Sequence, residues 1–143
     1  MCWFEAKDHC ARIGGKLVEI DSEEENTALM EEINNRRRGD SFWIGLTDLE
    51  KEGDWRLASN GLKPSYLNWH EDQPNNVGAK EHCARISSWK EMDKWFDTDC
   101  NSDKGYPGIC EFDPTTGNLS TENIAKEGVQ IKWSTRIITI EYF

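Results

Sequence analysis

Five cysteines, at positions 2, 10, 83, 100 and 110, constrain this chain more than any other feature. Only 36% of its 143 residues are apolar, so an extended aliphatic core is out of reach. Seven tryptophans and covalent cross-links are what can replace it. Pairing four of the five cysteines implies an oxidising compartment and leaves three connectivities, among which the spacing does not choose. The length suits one domain with one core. With 27 acidic against 17 basic residues the formal charge is -10. A field of that sign repels phosphate backbones and anionic lipid, which argues against nucleic acid and membrane surfaces, and it draws in divalent cations. Met1 runs straight into a helical pattern with no apolar leader, and no run of 18 apolar residues could span a membrane.

Trp3, Ala6, Cys10 and Ile13 recur at intervals of three and four, which predicts a helix that Gly14 and Gly15 terminate. Leu17, Val18 and Ile20 read as a short buried strand. Ser22 with Glu25 forms a capping box for a second helix, whose inward face is Ala28, Leu29 and Ile33. The helix ends in a basic turn. There Arg38, Gly39 and Asp40 spell an integrin-type tripeptide, but the neighbouring basic residues suit a helix C-terminus and make that the reading of choice. Phe42 to Leu46 predicts a central strand in which Gly45 marks a close backbone approach, and Asp54 to Leu57 predicts another strand. A long loop then runs to Cys83, with Trp55, Tyr66, Leu67 and Trp69 as its buried anchors. His82 to Ile86 and Tyr106 to Phe112 supply the last strands of this region. Asp113 to Lys126 reads as a linker. Beyond it, Val129, Ile131 and Trp133, then Ile137, Ile138, Ile140, Tyr142 and Phe143, form two strand-prone runs.

Trp69 to Cys110 carries the chemistry. Gln73, Pro74, Asn75 and Asn76, then Glu81, then Trp95, Phe96 and Asp97 bring carboxylates and side-chain amides into a polar, turn-rich segment. These are the donors a hard cation such as calcium takes in sets of six to eight. The order of Gln-Pro-Asn, an acid eight residues after the Gln, a cysteine two later, and Trp-x-Asp-x-x-Cys resembles the C-type lectin-like domain. Trp43-Ile44-Gly45-Leu46 matches that family's Trp-Ile-Gly-Leu signature, and Cys10, Cys83, Cys100 and Cys110 match its framework cysteines in order. The resemblance covers about 110 residues and implies an α+β fold of two helices, small antiparallel sheets and a long ligand-binding loop. It places a C-type lectin-like domain at 1–112, with its usual first strand missing, and leaves 113–143 as an extension. One expectation for that extension is that it pairs with the sheet edge which the missing strand leaves open; the rival is that it is a fragment of a following domain.

Several further expectations follow from the resemblance alone. Cys10 pairs with Cys110 and Cys83 with Cys100, and Cys2 is left over. Closing the two loops would contribute about 3 to 5 kcal/mol each. Calcium-dependent relatives hold the ion, and two vicinal sugar hydroxyls, with residues that correspond to Gln73, Asn75, Glu81, Phe96 and Asp97. Phe96 offers no oxygen, and only Glu81 and Asp97 are charged, so the Ca2+ site is expected to be weak, with a dissociation constant of ~0.1 to 1 mM, or absent. Gln-Pro-Asn mixes the mannose-type and galactose-type triplets, so it specifies neither sugar. The Gln73–Pro74 bond is expected to be cis, as in metal-bound relatives. Asp48, Glu52 and Asn76 fall where some relatives hold an accessory calcium, with His82 in place of an acid; solvated loop residues are the preferred reading. His70, His82 and the cysteines match no zinc spacing.

The chain shows no nucleophile beside a base, so it is not read as an enzyme. Trp3, Trp43, Trp55, Trp69 and Trp95 fall at core positions, and Trp89 is the freer aromatic near the site. Asn118 begins an N-glycosylation sequon usable in a secreted protein. The expected function is recognition of a glycan or glycoprotein by an extracellular, weakly calcium-dependent lectin. The alternative is a calcium-independent module of the same fold that binds a protein.

Overall fold

A computed structural model describes residues 1–36, 39–88, 93–102, 104–112, 129–132 and 137–140, with the backbone alone described for residue 36 and the last two segments. Helices α1 (Trp3–Arg12) and α2 (Glu23–Arg36) flank two antiparallel sheets. The first sheet orders its strands β1-β6-β8-β7, where β1 is Lys16–Leu17, β6 Ile109–Phe112, β7 Val129–Lys132 and β8 Ile137–Ile140. The second orders them β3-β2-β4-β5, where β2 is Ser41–Thr47, β3 Arg56–Leu57, β4 Glu81–Ser87 and β5 Lys94–Asp99. This is the expected α+β arrangement.

The tryptophans do the work that aliphatic residues do elsewhere. Trp3, the first residue of α1, is buried and donates its indole N–H to the Ile44 carbonyl at 2.9 Å. Trp95 in β5 is buried against α2, where its indole N–H meets Asn26 Oδ1 at 2.9 Å. Each ring therefore buries a large apolar area without stranding its polar atom. Trp43 and Trp55 are buried as well, and Trp69 is half-buried. Cys10 is bonded to Cys110, which ties α1 to β6, and Cys83 is bonded to Cys100, which ties β4 to the end of β5. Cys2 is free and half-buried. Gly45 is needed at its position: a Cβ there would lie 2.8 Å from the Leu17 carbonyl oxygen, while its N–H donates to Val18 at 2.8 Å. That close approach is what brings β2 against β1.

Four expectations need correction. Lys94–Asp99 is a strand, whereas the sequence pattern left it without an element in a polar, turn-rich segment: its charged ends mask an alternation of buried Trp95 and Asp97 with half-buried Phe96. The strands expected from Leu17 to Ile20, from Asp54 to Leu57 and from Tyr106 are shorter, at Lys16–Leu17, Arg56–Leu57 and Ile109–Phe112: Val18 hydrogen-bonds Ile109 and Gly45 outside any regular ladder, and the Asp54 N–H closes a turn on the Lys51 carbonyl at 2.9 Å. Leu67 is 46% exposed and anchors nothing; Tyr66 and Trp69 on either side take the core positions. Asp48 is buried, not a solvated loop residue. Farther along, β8 pairs with β6, Phe112 opposite Ile137 and Ile109 opposite Ile140, and β7 pairs with β8, so the C-terminal hairpin extends the first sheet. Arg38, Trp89, Asn118 and Trp133 lie outside the described residues.

Candidate functional site

Backbone pairing assembles the site. Trp95 in β5 donates its N–H to Asn68 at 2.9 Å and accepts from His70 at 2.9 Å, which lays residues 68–70 alongside β5 as an extra strand-like segment. Aromatic contacts hold that segment in register: Trp69 meets Trp55 at 4.7 Å and Trp95 at 6.3 Å, and Tyr66 meets Trp95 at 5.7 Å. One step along this register sets His70 beside Phe96. A turn closed by the Gln73 N–H on the His70 carbonyl at 2.8 Å then brings Gln73 beside Asp97.

Asp97 is the centre. It is 4% exposed, its Oδ1 accepts the Asn75 N–H at 3.2 Å and its Oδ2 accepts the Asn76 N–H at 2.6 Å. Its own N–H donates to Gln73 Oε1 at 3.3 Å. Beyond the cis Gln73–Pro74 bond the chain turns through left-handed Asn76 (φ 46°) and Ala79 (φ 56°). Asn76 Oδ1 takes the Glu81 N–H at 3.1 Å, and Glu81 Oε1 takes the Val77 N–H at 3.0 Å. Burial pushes the Glu81 carboxyl above its ordinary pKa, and the Asp97 and Asp99 charges add to this, against the Val77 bond and Arg85. A carboxyl held up in this way gains from a cation beside it. Gln73 and Asn75 of the loop are thus hydrogen-bonded to Asp97 of β5, and Glu81 at the start of β4 closes on the same loop through Asn76 and Val77.

Phe96 does not face outward as a free ring. His70 stacks on it at 5.1 Å and 19°, and the Arg85 guanidinium lies 4.7 Å from its centroid. Arg85 is fixed by Thr98 Oγ1 and Ser41 Oγ, each at 2.9 Å. Together with Gln73 and Asn75, these three side chains line a groove of about 580 Å³. Sequence reasoning missed Arg85 and weighed His70 only as a zinc donor. Arg85 could have been found, since it lies directly opposite Phe96 in the β4–β5 ladder once β5 is recognised.

The donor set can be weighed against calcium. It is all oxygen, with two carboxylates and two carboxamides, and it is preorganised by backbone amides; that chemistry fits a hard cation held weakly. Phe96 contributes a ring contact and no ligand. Beside this loop, Asp48 and Glu52 of the turn after β2 meet His82, the residue after Glu81 in β4, with one ligand atom from each within 4.8 Å of the others. Asn76 lies instead within the Asp97 network.

These features coincide with what comparison finds. The family model described as the lectin C-type domain matches residues 1–112, and the chain belongs to that family. It is 38% identical over 111 residues to a perlucin-like protein of Mytilus galloprovincialis, covering 76% of this chain and 68% of that protein. It is 40% identical over 111 residues to C-type lectin domain family 3 member A of Bos taurus, covering 77% of this chain but only 54% of the relative. Among solved structures, the mouse scavenger receptor C-type lectin carbohydrate-recognition domain aligns with a TM-score of 0.66 at 31% identity, over 76% of this chain and 80% of that one. Among the described residues, no helix is long and apolar enough to cross a membrane.

Proposed function

We propose that the loop Gln73 to Glu81, closed on Asp97, binds a saccharide with help from a weakly held calcium ion. The observation that carries this reading is the Asp97 network, which gathers the oxygens of Gln73, Glu81 and Asp97 and the Asn75 backbone into one preorganised loop. Gln73, Asn75, Glu81 and Asp97 would hold the ion. Its charge would polarise the hydroxyls that the same side chains orient. The chain's own residues do the rest: the Gln73 and Asn75 carboxamides each offer both donors and acceptors, and Glu81 offers a charged acceptor. The groove toward Arg85 falls within the ~300 to 1,000 Å³ of small-molecule sites and leaves room for a ligand beyond the metal-bound hydroxyls. The mouse relative's being a carbohydrate-recognition domain points the same way. An extracellular setting with the Cys10–Cys110 and Cys83–Cys100 disulfides intact suits this role.

Thermal unfolding in chelator and in millimolar calcium tests the reading. Calcium at roughly 10- to 100-fold over its dissociation constant stabilises the folded state by about 1.4 to 2.7 kcal/mol, a shift of several degrees. Glu81→Ala should abolish the shift, and glycan-array binding should follow the same calcium dependence. One observation favours a second reading: both Asp97 oxygens are already satisfied by backbone amides, and Phe96 replaces a ligand. Coincident curves in chelator and calcium would remove the calcium reading and favour a calcium-independent module that binds a protein.

A further inference from the structure

We propose that the groove beside the calcium loop seats a singly charged oxyanion, a carboxylate or a sulfate ester, carried by the bound saccharide, and that the Arg85 guanidinium receives it. This rests on the saccharide reading above and names the class of saccharide. Arg85 stands directly opposite Phe96 in the β4–β5 ladder and lines the same groove of about 580 Å³ as Gln73 and Asn75. Its charge has no carboxylate partner among the described residues: Nε donates to Thr98 Oγ1 and Nη1 to Ser41 Oγ, each at 2.9 Å, and both acceptors are neutral hydroxyls. A guanidinium has more N–H donors than those two bonds consume, and among the described residues Nη2 makes none. A half-buried cation met only by hydroxyls gains most from a ligand that brings the missing negative charge.

The guanidinium is held in place before any ligand arrives. Its carbon lies 4.7 Å from the Phe96 ring centroid and 5.3 Å from that of Tyr106, and Tyr106 meets buried Trp43 edge-on at 5.3 Å, which anchors the clamp in the core. A planar fork fixed in this way loses little freedom on meeting a carboxylate or sulfate in the two-pronged geometry it favours. Phe96 thereby acquires a role. The residue that offers the calcium ion no oxygen gives Arg85 a ring to rest on, and His70 stacks on that ring at 5.1 Å. Recognition that the metal side lacks is supplied by an anion contact beside it. Charge then limits the ligand. The formal charge of the chain is -10 and Asp72 lines the same groove, so polyanions are repelled as a whole while a single acid meets Arg85 locally. A preference for acidic saccharides in a chain of this charge has to come from the groove itself.

The experiment is a glycan array of matched triplets, each presented neutral, with a carboxylate and with a sulfate ester, probed with the disulfide-bonded protein in millimolar calcium and in chelator. Calorimetric titration of the best-bound triplet follows. An acidic member should bind about tenfold tighter than its neutral counterpart, as one charge-assisted bidentate contact gives, and comparing the two acids identifies which oxyanion the groove takes. Arg85→Gln should erase the preference, and Arg85→Lys, which keeps the charge without the fork, should retain part of it. Asp72→Asn, on an exposed side chain, should strengthen the acidic members more than the neutral one. In the unsubstituted protein the Arg85 Nε–H resonance should move with an acidic member well beyond its movement with the neutral one, a readout that needs no variant to fold. Acidic members bound no tighter than neutral ones, a preference that survives in folded Arg85→Gln, or an Arg85 resonance indifferent to the acid overturns the inference and leaves the saccharide reading standing. Binding of no member, in calcium or in chelator, overturns both.

Discussion

Asp97 decides at the level of single residues whether the loop has a shape at all. One buried carboxylate holds the amides of Asn75 and Asn76, and hydrogen bonds to a charged group contribute about 1.5 to 3 kcal/mol each. Asp97→Ala should cost about 2 to 4 kcal/mol in urea unfolding, since the two bonds share one acceptor and are not additive. The same variant should speed hydrogen exchange at the Asn75 and Asn76 amides. Unchanged exchange there would mean that the loop is held by something else. Glu111 makes a second residue-level prediction. It is 2% exposed in β6, accepts the Glu19 N–H at 2.8 Å, and burial raises its pKa to about 7 despite that bond. The folded state therefore binds a proton more tightly than the unfolded chain. Its contribution to stability is present in full below the unfolded carboxyl pKa and is lost as pH rises from about 4.5 to about 7. Glu111→Gln keeps an acceptor for Glu19 and removes the titration, so the stability difference between pH 5 and pH 8 should shrink relative to the parent chain.

At the scale of elements, the register of residues 68–70 on β5 explains what the sequence did and did not reveal. Gln73, Asn75, Glu81 and Asp97 were legible because motif spacing encodes them directly. His70 and Arg85 were not, since their contact with Phe96 arises from a bridge between Trp69 and Trp95 and a β4–β5 pairing that no local pattern reports. Strand β5 itself went unread because Lys94 and Asp99 at its ends disguise a buried face. Gly45, by contrast, was legible as a close approach, and the structure says to what. Gly45→Ala would drive a Cβ to within 2.8 Å of the Leu17 carbonyl and 3.0 Å of Glu19 Cγ. Neither β1 nor β2 can yield without disturbing the Val18 bond, so the variant should lose about 1 to 3 kcal/mol, read as a lower unfolding midpoint in denaturant.

For the whole molecule, the two disulfides divide the labour between fold and site. Cys10–Cys110 closes a separation of 100 residues and joins α1 to β6, far from the loop that holds Gln73. Cys83–Cys100 closes only 17, but Cys83 stands two residues from Glu81 and Cys100 three from Asp97, so it clamps the strands that carry both carboxylates. In the chain-entropy account the long loop contributes about 4.7 kcal/mol and the short one about 3. Replacing Cys10 and Cys110 by serine should therefore cost more stability and steepen the denaturant response, because the unfolded chain expands further. Replacing Cys83 and Cys100 should cost less stability and yet reduce calcium affinity more, because the spacing between Glu81 and Asp97 is then set by backbone pairing alone. Urea unfolding of both double variants, each followed by calcium titration at a temperature where it remains folded, separates the two effects. If calcium affinity instead falls in proportion to stability in both, the clamp adds nothing local, and the loop's order comes from the Asp97 hydrogen bonds alone.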